Sequence, residues 1–194
     1  MTLLVTGGIG SGKSEVCRML EERGVPVYCC DTRAKELYYE IPSILEEFSA
    51  RTGVRCFDAD GKADLSAVSK VVFRDRGALK LLESLLYPAL RDDFMAWKEG
   101  KGTVVMESAI ALSKEEFRDM YDAVAVVTAP LEVRIRRVML RDGMGREDVM
   151  LRIANQTDPE LFADIIVHNG GSLEDLSEEV DKLVEFLKTR TYEN

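Results

Sequence analysis

The chain has 194 residues, 46% of them hydrophobic and 31% charged, and its formal net charge at pH 7 is −9. This length and composition predict one globular domain with a buried core over residues 1–194. The negative charge excludes a general affinity for nucleic acid or anionic membranes. The sequence has no apolar run of membrane-spanning length, no long apolar heptad pattern and no cysteine spacing typical of disulfides or zinc sites, so we expect a cytoplasmic monomer.

The first elements form a phosphate-binding pattern. A short apolar run, Leu3–Val5, predicts a buried strand, and residues 15–23 carry apolar positions at helical spacing. Between them lies Gly7-Gly-Ile-Gly-Ser-Gly-Lys-Ser14, which matches G-x-x-x-x-G-K-[ST]. Glycine-rich turns also join strands to helices in proteins that bind nothing, but the Lys-Ser pair after a strand favours a nucleoside triphosphate site.

The chemistry of this loop follows from its residue types. Its backbone N–H groups can converge on a polyphosphate beside the positive end of the helix dipole. Lys13 can reach the outer phosphates, and the Ser14 hydroxyl is placed to ligate Mg²⁺. We therefore predict that the chain binds ATP or a similar nucleotide with Mg²⁺.

Strands and helices alternate along the rest of the chain. The further strands are predicted at residues 25–30, 103–106, 123–127 and 164–167, and the helices at 32–39, 43–52, 65–73, 78–98, 131–141, 146–156 and 173–189. Short apolar strands separated by helices predict an α/β fold, a three-layer parallel sheet of about five strands of the P-loop NTPase type. No strand is convincing across residues 32–102, so we predict a helical insertion there.

Two carboxylates follow predicted strands at the edge of the sheet where the loop lies. Asp31 closes the second strand, where it can accept a proton from an attacking hydroxyl, hold Mg²⁺ through water, or cap the following helix. Position alone does not separate these roles. Glu107 ends the third strand, where it is either a magnesium-organising group or an ordinary surface carboxylate.

An arginine-rich segment near residues 137–157 predicts a mobile lid over the nucleotide. Arg137 and Arg141 are the favoured phosphate ligands, because a guanidinium fork stabilises the charge of a moving phosphoryl group. Arg134 and Arg136 are expected on a solvated helix face. Asn169 follows the last strand, where it either contacts adenine or turns the chain.

Several motifs together resemble the dephospho-CoA kinase family, a family of P-loop kinases, over nearly the whole chain. The motifs are Thr6–Ser14, Gly24–Asp31, Phe73 before a helix with Leu85–Pro88, Arg137–Asp142, Arg146-Glu, Ile153–Gln156 and Ala163–Gly171. The resemblance implies transfer of the γ-phosphate of ATP to the 3′-hydroxyl of the ribose of dephospho-coenzyme A, the last step of coenzyme A synthesis.

The resemblance also implies roles for particular residues. Asp31 would be the general base, Arg137 and Arg141 would belong to the lid, and the insertion would bind the coenzyme A part of the acceptor. Taken together with the roles expected from position, the predicted catalytic set is Lys13, Asp31 and Arg141, and the predicted Mg²⁺ ligands are Ser14 and Glu107. The nucleotide-binding set is Gly8, Gly10, Ser11, Gly12, Lys13, Ser14, Glu15, Arg137 and Asn169.

The sequence departs from the family pattern mainly at positions that bear on the acceptor. The family commonly has Asp-Ala-Asp where this chain has Cys29-Cys30-Asp31, and Thr where it has Glu15. The family's His-Pro, Asp-Arg and Pro-Leu-Leu-Phe-Glu correspond here to Tyr87-Pro88, Asp64-Leu65 and Ala109–Ser113. The alternatives are therefore a kinase for another hydroxyl acceptor, a nucleotide-dependent switch, and a paralogue that binds ATP without turnover.

Overall fold

The computed structural model describes residues 1–156 and 159–192 and contains one parallel sheet. Its strands are β1 (Thr2–Thr6), β2 (Val27–Cys29), β3 (Val104–Glu107), β4 (Ala123–Thr128) and β5 (Ile165–His168). They lie in the order β2-β3-β1-β4-β5, and every neighbouring pair is parallel. The sheet predicted from the alternating apolar runs is confirmed.

Eight α-helices connect and flank these strands within the described residues. They are α1 (Lys13–Glu22), α2 (Cys30–Glu40), α3 (Ser43–Thr52), α4 (Leu65–Val72), α5 (Arg76–Lys98), α6 (Leu131–Asp142), α7 (Arg146–Ala154) and α8 (Leu173–Tyr192). Short 3₁₀ turns lie at Ala111–Ser113, Glu115–Phe117 and Pro159–Phe162. Each predicted helix is present, with its ends shifted by a few residues at most.

The prediction for the end of the second strand is wrong. The strand stops at Cys29, and Cys30 already begins α2, so Asp31 neither closes the strand nor caps the helix from outside. It lies in the first helical turn instead. An acidic residue there interacts favourably with the exposed N–H groups of the helix start, which favours the early start.

The chain divides into two compact units. The first contains residues 1–29 and from 100 onward, with all five strands. One of its cores packs side chains of β1 and β4 against α1 and α8, and its fully buried members include Leu3, Val5, Leu20, Val180 and Leu183.

The second unit, Cys30–Glu99, contains only helices as regular elements, α2 to α5. Its most deeply buried side chains include Leu45 and Phe48 of α3 and Phe94 of α5. It occupies nearly the residues of the predicted insertion, whose role in binding the acceptor stays a prediction. Among the described residues, no helix has the length and apolar character required to cross a bilayer.

Candidate active site

The loop Gly7–Ser14 leaves the end of β1 and enters α1 with a conformation that only glycine adopts easily. Gly10 has φ 77° and Gly12, the N-cap of α1, has φ 95°. A Cβ added to Gly12 would lie 2.0 Å from the side-chain nitrogen of Asn169, and one added to Gly10 would lie 2.6 Å from the carbonyl oxygen of Arg134. Arg134 of α6 and Asn169 after β5 therefore pack directly against the backbone of the loop.

The two predicted phosphate and metal ligands lie at the start of α1. The Lys13 ammonium donates to the carbonyl oxygen of Gly7 at 3.0 Å, which folds its side chain back across the loop. Ser14 is exposed, so its hydroxyl is accessible to an ion or phosphate. Ser11 is buried, and its hydroxyl has no hydrogen-bond partner within the part of the chain that the structure describes.

Asn169 and Arg137 hold the loop from the side of β5. The side-chain amide of Asn169, a residue only 5% exposed, donates to the carbonyl oxygen of Ser11 at 2.8 Å. Its side-chain oxygen and its backbone oxygen each accept a hydrogen bond from Arg137 at 3.1 Å. Asn169 is thus a buried brace of the loop, and its predicted contact with adenine stays a prediction.

Arg134 also contacts the loop, contrary to the expectation that it lies on a solvated face. Its Nε donates to the carbonyl oxygen of Ile9 at 3.0 Å, and Gln156 accepts the N–H of the same residue at 2.9 Å. The sequence contained one signal for this, since Arg134 precedes Arg137 by three residues and so shares its helix face. Arg136, in contrast, is exposed as expected.

Glu107 lies at the end of β3, between the ends of two other strands. It is in register with Val5 of β1 on one side and Cys29 of β2 on the other, and it is 8% exposed. Burial is the main cause that raises the pKa of the nearby Cys17 thiol, and the negative charge of Glu107 contributes. A buried carboxylate at this edge fits the predicted role in organising a cation.

The predicted lid, near residues 137–157, begins inside α6 and includes α7 and the two glycines between the helices. Gly143 ends α6 with φ 66°, a conformation that favours glycine, whereas Gly145 precedes α7 in an extended conformation that other residues can adopt. Arg141 is exposed and pairs with the adjacent Asp142 at 2.7 Å, which raises the pKa of Arg141. The structure therefore brings Arg137 to the loop but not Arg141. Residue 157, where the predicted lid ends, lies outside the described residues.

Glu15 is turned along α1 rather than toward the loop. Its carboxylate pairs with Arg18 one helical turn later at 2.5 Å, and this hydrogen bond lowers the pKa of Glu15. Arg18 also pairs with Glu22. The charge that Glu15 adds to the start of the helix is therefore compensated within the helix itself.

A cavity of about 310 Å³ opens beside the start of the loop. One side is formed by the loop and the segment after β3, and the other by residues after α7. Its lining is Thr6, Gly7, Gly8, Ala109, Ile110, Leu112, Ser113, Asn155, Gln156, Pro159 and Phe162.

Comparison with known proteins agrees with this geometry. The sequence model of the dephospho-CoA kinase family matches residues 1–175. The chain belongs to this family. It is 33% identical to the dephospho-CoA kinase of Thermobifida fusca over 193 residues, which cover 97% of this chain and 96% of that protein.

Solved structures confirm the fold of a P-loop kinase. A Thermus thermophilus protein matches with a TM-score of 0.81 and 31% identity, over 96% of this chain and 97% of that one. The dephospho-CoA kinase from Campylobacter jejuni matches with a TM-score of 0.71 and 25% identity, over 97% and 98% of the two chains.

The positions where this chain departs from the family pattern have defined places in the structure. Cys29 is the last residue of β2, and Tyr87 is buried in α5 with 5% exposure. Leu65 begins α4, whose N-cap is Asp64, because the Asp64 carboxylate accepts the N–H of Ala67 at 3.0 Å. Asp64 therefore has a structural role in the second unit.

Proposed function

We propose that the chain transfers the γ-phosphate of ATP to the 3′-hydroxyl of the ribose of dephospho-coenzyme A, which gives coenzyme A and ADP. The observation that carries this proposal is the loop Gly7–Ser14 with Lys13 and Ser14 at the start of α1, in a chain that belongs to the dephospho-CoA kinase family. The acceptor oxygen forms a bond to phosphorus, ADP leaves, and the hydroxyl proton passes to a base.

The donor side of the reaction is assigned to the first unit. The N–H groups from Gly10 to Glu15 form the cradle for the phosphates, and Lys13 neutralises charge on the outer ones. The bond of Lys13 to the carbonyl oxygen of Gly7 is supporting geometry, since it keeps the ammonium over the loop. Arg137 and Arg141 are assigned to the lid over ATP, with Arg137 already at the loop through Asn169.

We propose that Mg²⁺ is held by Ser14 and, through water, by Glu107. The exposed hydroxyl and the nearly buried carboxylate are oxygen ligands of the kind Mg²⁺ takes. Among the described residues, no group of three His, Cys, Asp or Glu side chains can hold a metal by itself. The ion would therefore bind together with the nucleotide phosphates, where it neutralises developing charge.

Asp31 is proposed as the general base. The covalent chain places it two residues beyond the end of β2, in the first turn of α2. A carboxylate can accept the proton of an attacking hydroxyl as that hydroxyl bonds to phosphorus. The second unit, Cys30–Glu99, is proposed to bind the acceptor.

The test is release of ADP with a panel of acceptors. Dephospho-coenzyme A, pantetheine, nucleosides and shikimate are each supplied with ATP and Mg²⁺, and only dephospho-coenzyme A is expected to give sustained turnover. Turnover with another member of the panel but not with dephospho-coenzyme A would instead identify a kinase for a different hydroxyl.

Asp31→Asn tests the base within the same assay. The amide cannot accept the proton, so kcat is expected to fall by about 10²- to 10⁴-fold. The dissociation constant for ATP, measured by calorimetry, should stay within a few fold, because Asp31 is not assigned to the donor. A variant with wild-type kcat would contradict the assignment of the base.

A further inference from the structure

The peptide groups around Ile9, in the middle of the phosphate loop, are held by two side chains. The side-chain oxygen of Gln156 accepts the N–H of Ile9 at 2.9 Å, and Nε of Arg134 donates to the carbonyl oxygen of Ile9 at 3.0 Å. Nη2 of Arg134 also donates to the same oxygen of Gln156 at 3.3 Å. We call Arg134 and Gln156 the loop clamp.

The loop clamp occupies the space that a side chain at Gly8 would need. A Cβ at this position would lie 2.2 Å from Nη2 of Arg134 and 3.1 Å from the side-chain oxygen of Gln156. Gly8 is not among the glycines in the left-handed region, so its backbone is open to other residues. The absence of a side chain is therefore required by the clamp and not by the turn.

The clamp also anchors the loop to α6 and to the end of α7. Arg134 lies on α6, and Gln156 follows the end of α7. The Ile9 side chain packs against a buried cluster formed by Ile135, Val138 and Val149 of the same two helices. Polar contacts to its backbone and apolar contacts to its side chain thus fix this residue from one side of the molecule.

We propose that Arg134 and Gln156 are positioning residues for phosphoryl transfer, which act through the peptide groups of Ile9 on the geometry of the phosphate cradle. This inference rests on the proposed kinase function. Donors that stabilise a transition state must be oriented before the reaction, since reorienting them during it costs free energy. A loop whose third residue is fixed at both its N–H and its C=O holds the N–H groups after it in one arrangement.

The first test replaces the acceptor of the clamp. Gln156→Met keeps the length of the side chain but removes its oxygen, and kcat is expected to fall about tenfold, as for the loss of one hydrogen bond to an oriented group. Gln156→Glu retains an oxygen at that place and is expected to recover most of kcat. Arg136→Met, on the exposed side of the same helix α6, is the matched control and should keep wild-type kcat.

The second test uses the contact with Gly8. Gly8→Ala is expected to lower kcat about tenfold or more, because the added methyl group displaces the clamp. Its effect should be several-fold smaller when Arg134→Ala and Gln156→Ala have already opened the space. Equal effects in the two backgrounds, or wild-type kcat in Gln156→Met, would overturn the proposal.

Two further measurements separate the clamp from stability and from the proposed function. The melting temperature of Gln156→Met should match wild type, since a role in folding alone would lower it together with kcat. If Gln156→Met does not fold, the other two variants still test the proposal, which requires a lowered kcat in Gly8→Ala and a nearly wild-type kcat in Gln156→Glu. Calorimetry with ATP needs no acceptor. The dissociation constant for ATP is therefore expected to be several-fold larger in Gln156→Met even if dephospho-coenzyme A proves not to be the substrate.

Discussion

At the scale of single residues, Gly12 shows how closely the loop and its brace fit. Its φ of 95° is unfavourable for any residue with a Cβ, and the space a Cβ would take is already occupied by the Asn169 side chain. The two constraints are independent, because one is a property of the backbone and the other of a neighbour.

We therefore expect Gly12→Ala to damage both stability and binding. The left-handed conformation alone lowers the free energy of unfolding by about 1–2 kcal/mol, and displacement of Asn169 should abolish measurable ATP binding. Urea unfolding and calorimetry measure the two effects. Gly102→Ala, where the added methyl group meets open space, is the control and should match wild type.

The residue scale also shows what a sequence pattern contains. Lys13 and Ser14 could be predicted because the loop motif fixes their chemistry and their place together. Arg134 was misassigned, since helical periodicity gives the face of a helix but not the element that the face meets. Gln156 was recognised only as part of a family motif, and its contact with Ile9 depends on a long-range fold that no local pattern encodes.

At the scale of elements, the junction of β5 and α8 depends on one carboxylate. Glu179 of α8 accepts the backbone N–H of His168 at 3.0 Å and pairs with Lys182 in its own helix. The hydrogen bond from His168, and then the pair with Lys182, lower the pKa of Glu179 below its usual 4.5. The charged form therefore stabilises the fold above that pH, and its contribution is lost as the pH falls through the lowered value.

The corresponding prediction concerns Glu179→Gln. At pH 7 this variant should lose about 1 kcal/mol in the free energy of unfolding, since the hydrogen bond is no longer assisted by charge. The difference from wild type should shrink as the pH falls below 4.5, and it should vanish once the pH is below the lowered pKa of Glu179, where the wild-type carboxylate is also neutral in the folded state. Urea titrations across this range measure it. Glu178→Gln removes the same charge at the adjacent position, and an identical pH dependence there would contradict the role given to Glu179.

Element boundaries were predictable to within a few residues where a local signal exists. The sequence predicts helix α5 from residue 78, and the helix begins two residues earlier, at Arg76. Its N-cap is Asp75, whose carboxylate accepts the N–H groups of Gly77 and Ala78. The boundary between β2 and α2 has no turn residue to mark it. Both Cys29 and Cys30 look strand-like in sequence, so only the structure separates them.

At the scale of the whole molecule, all five strands belong to the first unit. The core cluster of β1, β4, α1 and α8, as far as its residues are described, also consists of residues of that unit. The parallel sheet was predictable because short apolar runs separated by helices have few other solutions. The order of the strands was not, because every apolar run satisfies the same pattern. Monomeric state and cytoplasmic location stay predictions.

The composition of this core predicts that the first unit folds without the second. Replacement of residues 30–99 by a flexible linker of about twelve residues, the length a parallel crossover requires, should leave a chain that unfolds cooperatively and binds ATP. It should show no ADP release with dephospho-coenzyme A, since the proposed base and acceptor site are removed. Calorimetry measures ATP binding and the ADP-release assay measures turnover, each with the full chain as reference. Turnover in the shortened chain would contradict the assignment of the acceptor site.

The contact between Glu15 and Arg18 has a consequence for how this chain can change over evolution. Loss of Arg18 alone would leave the negative charge of Glu15 uncompensated near the start of α1, whereas loss of Glu15 alone would leave Arg18 still paired with Glu22. Substitutions should therefore accumulate in one order, with position 15 changing before position 18. Relatives that carry Thr at position 15 have no such constraint on the residue one turn later.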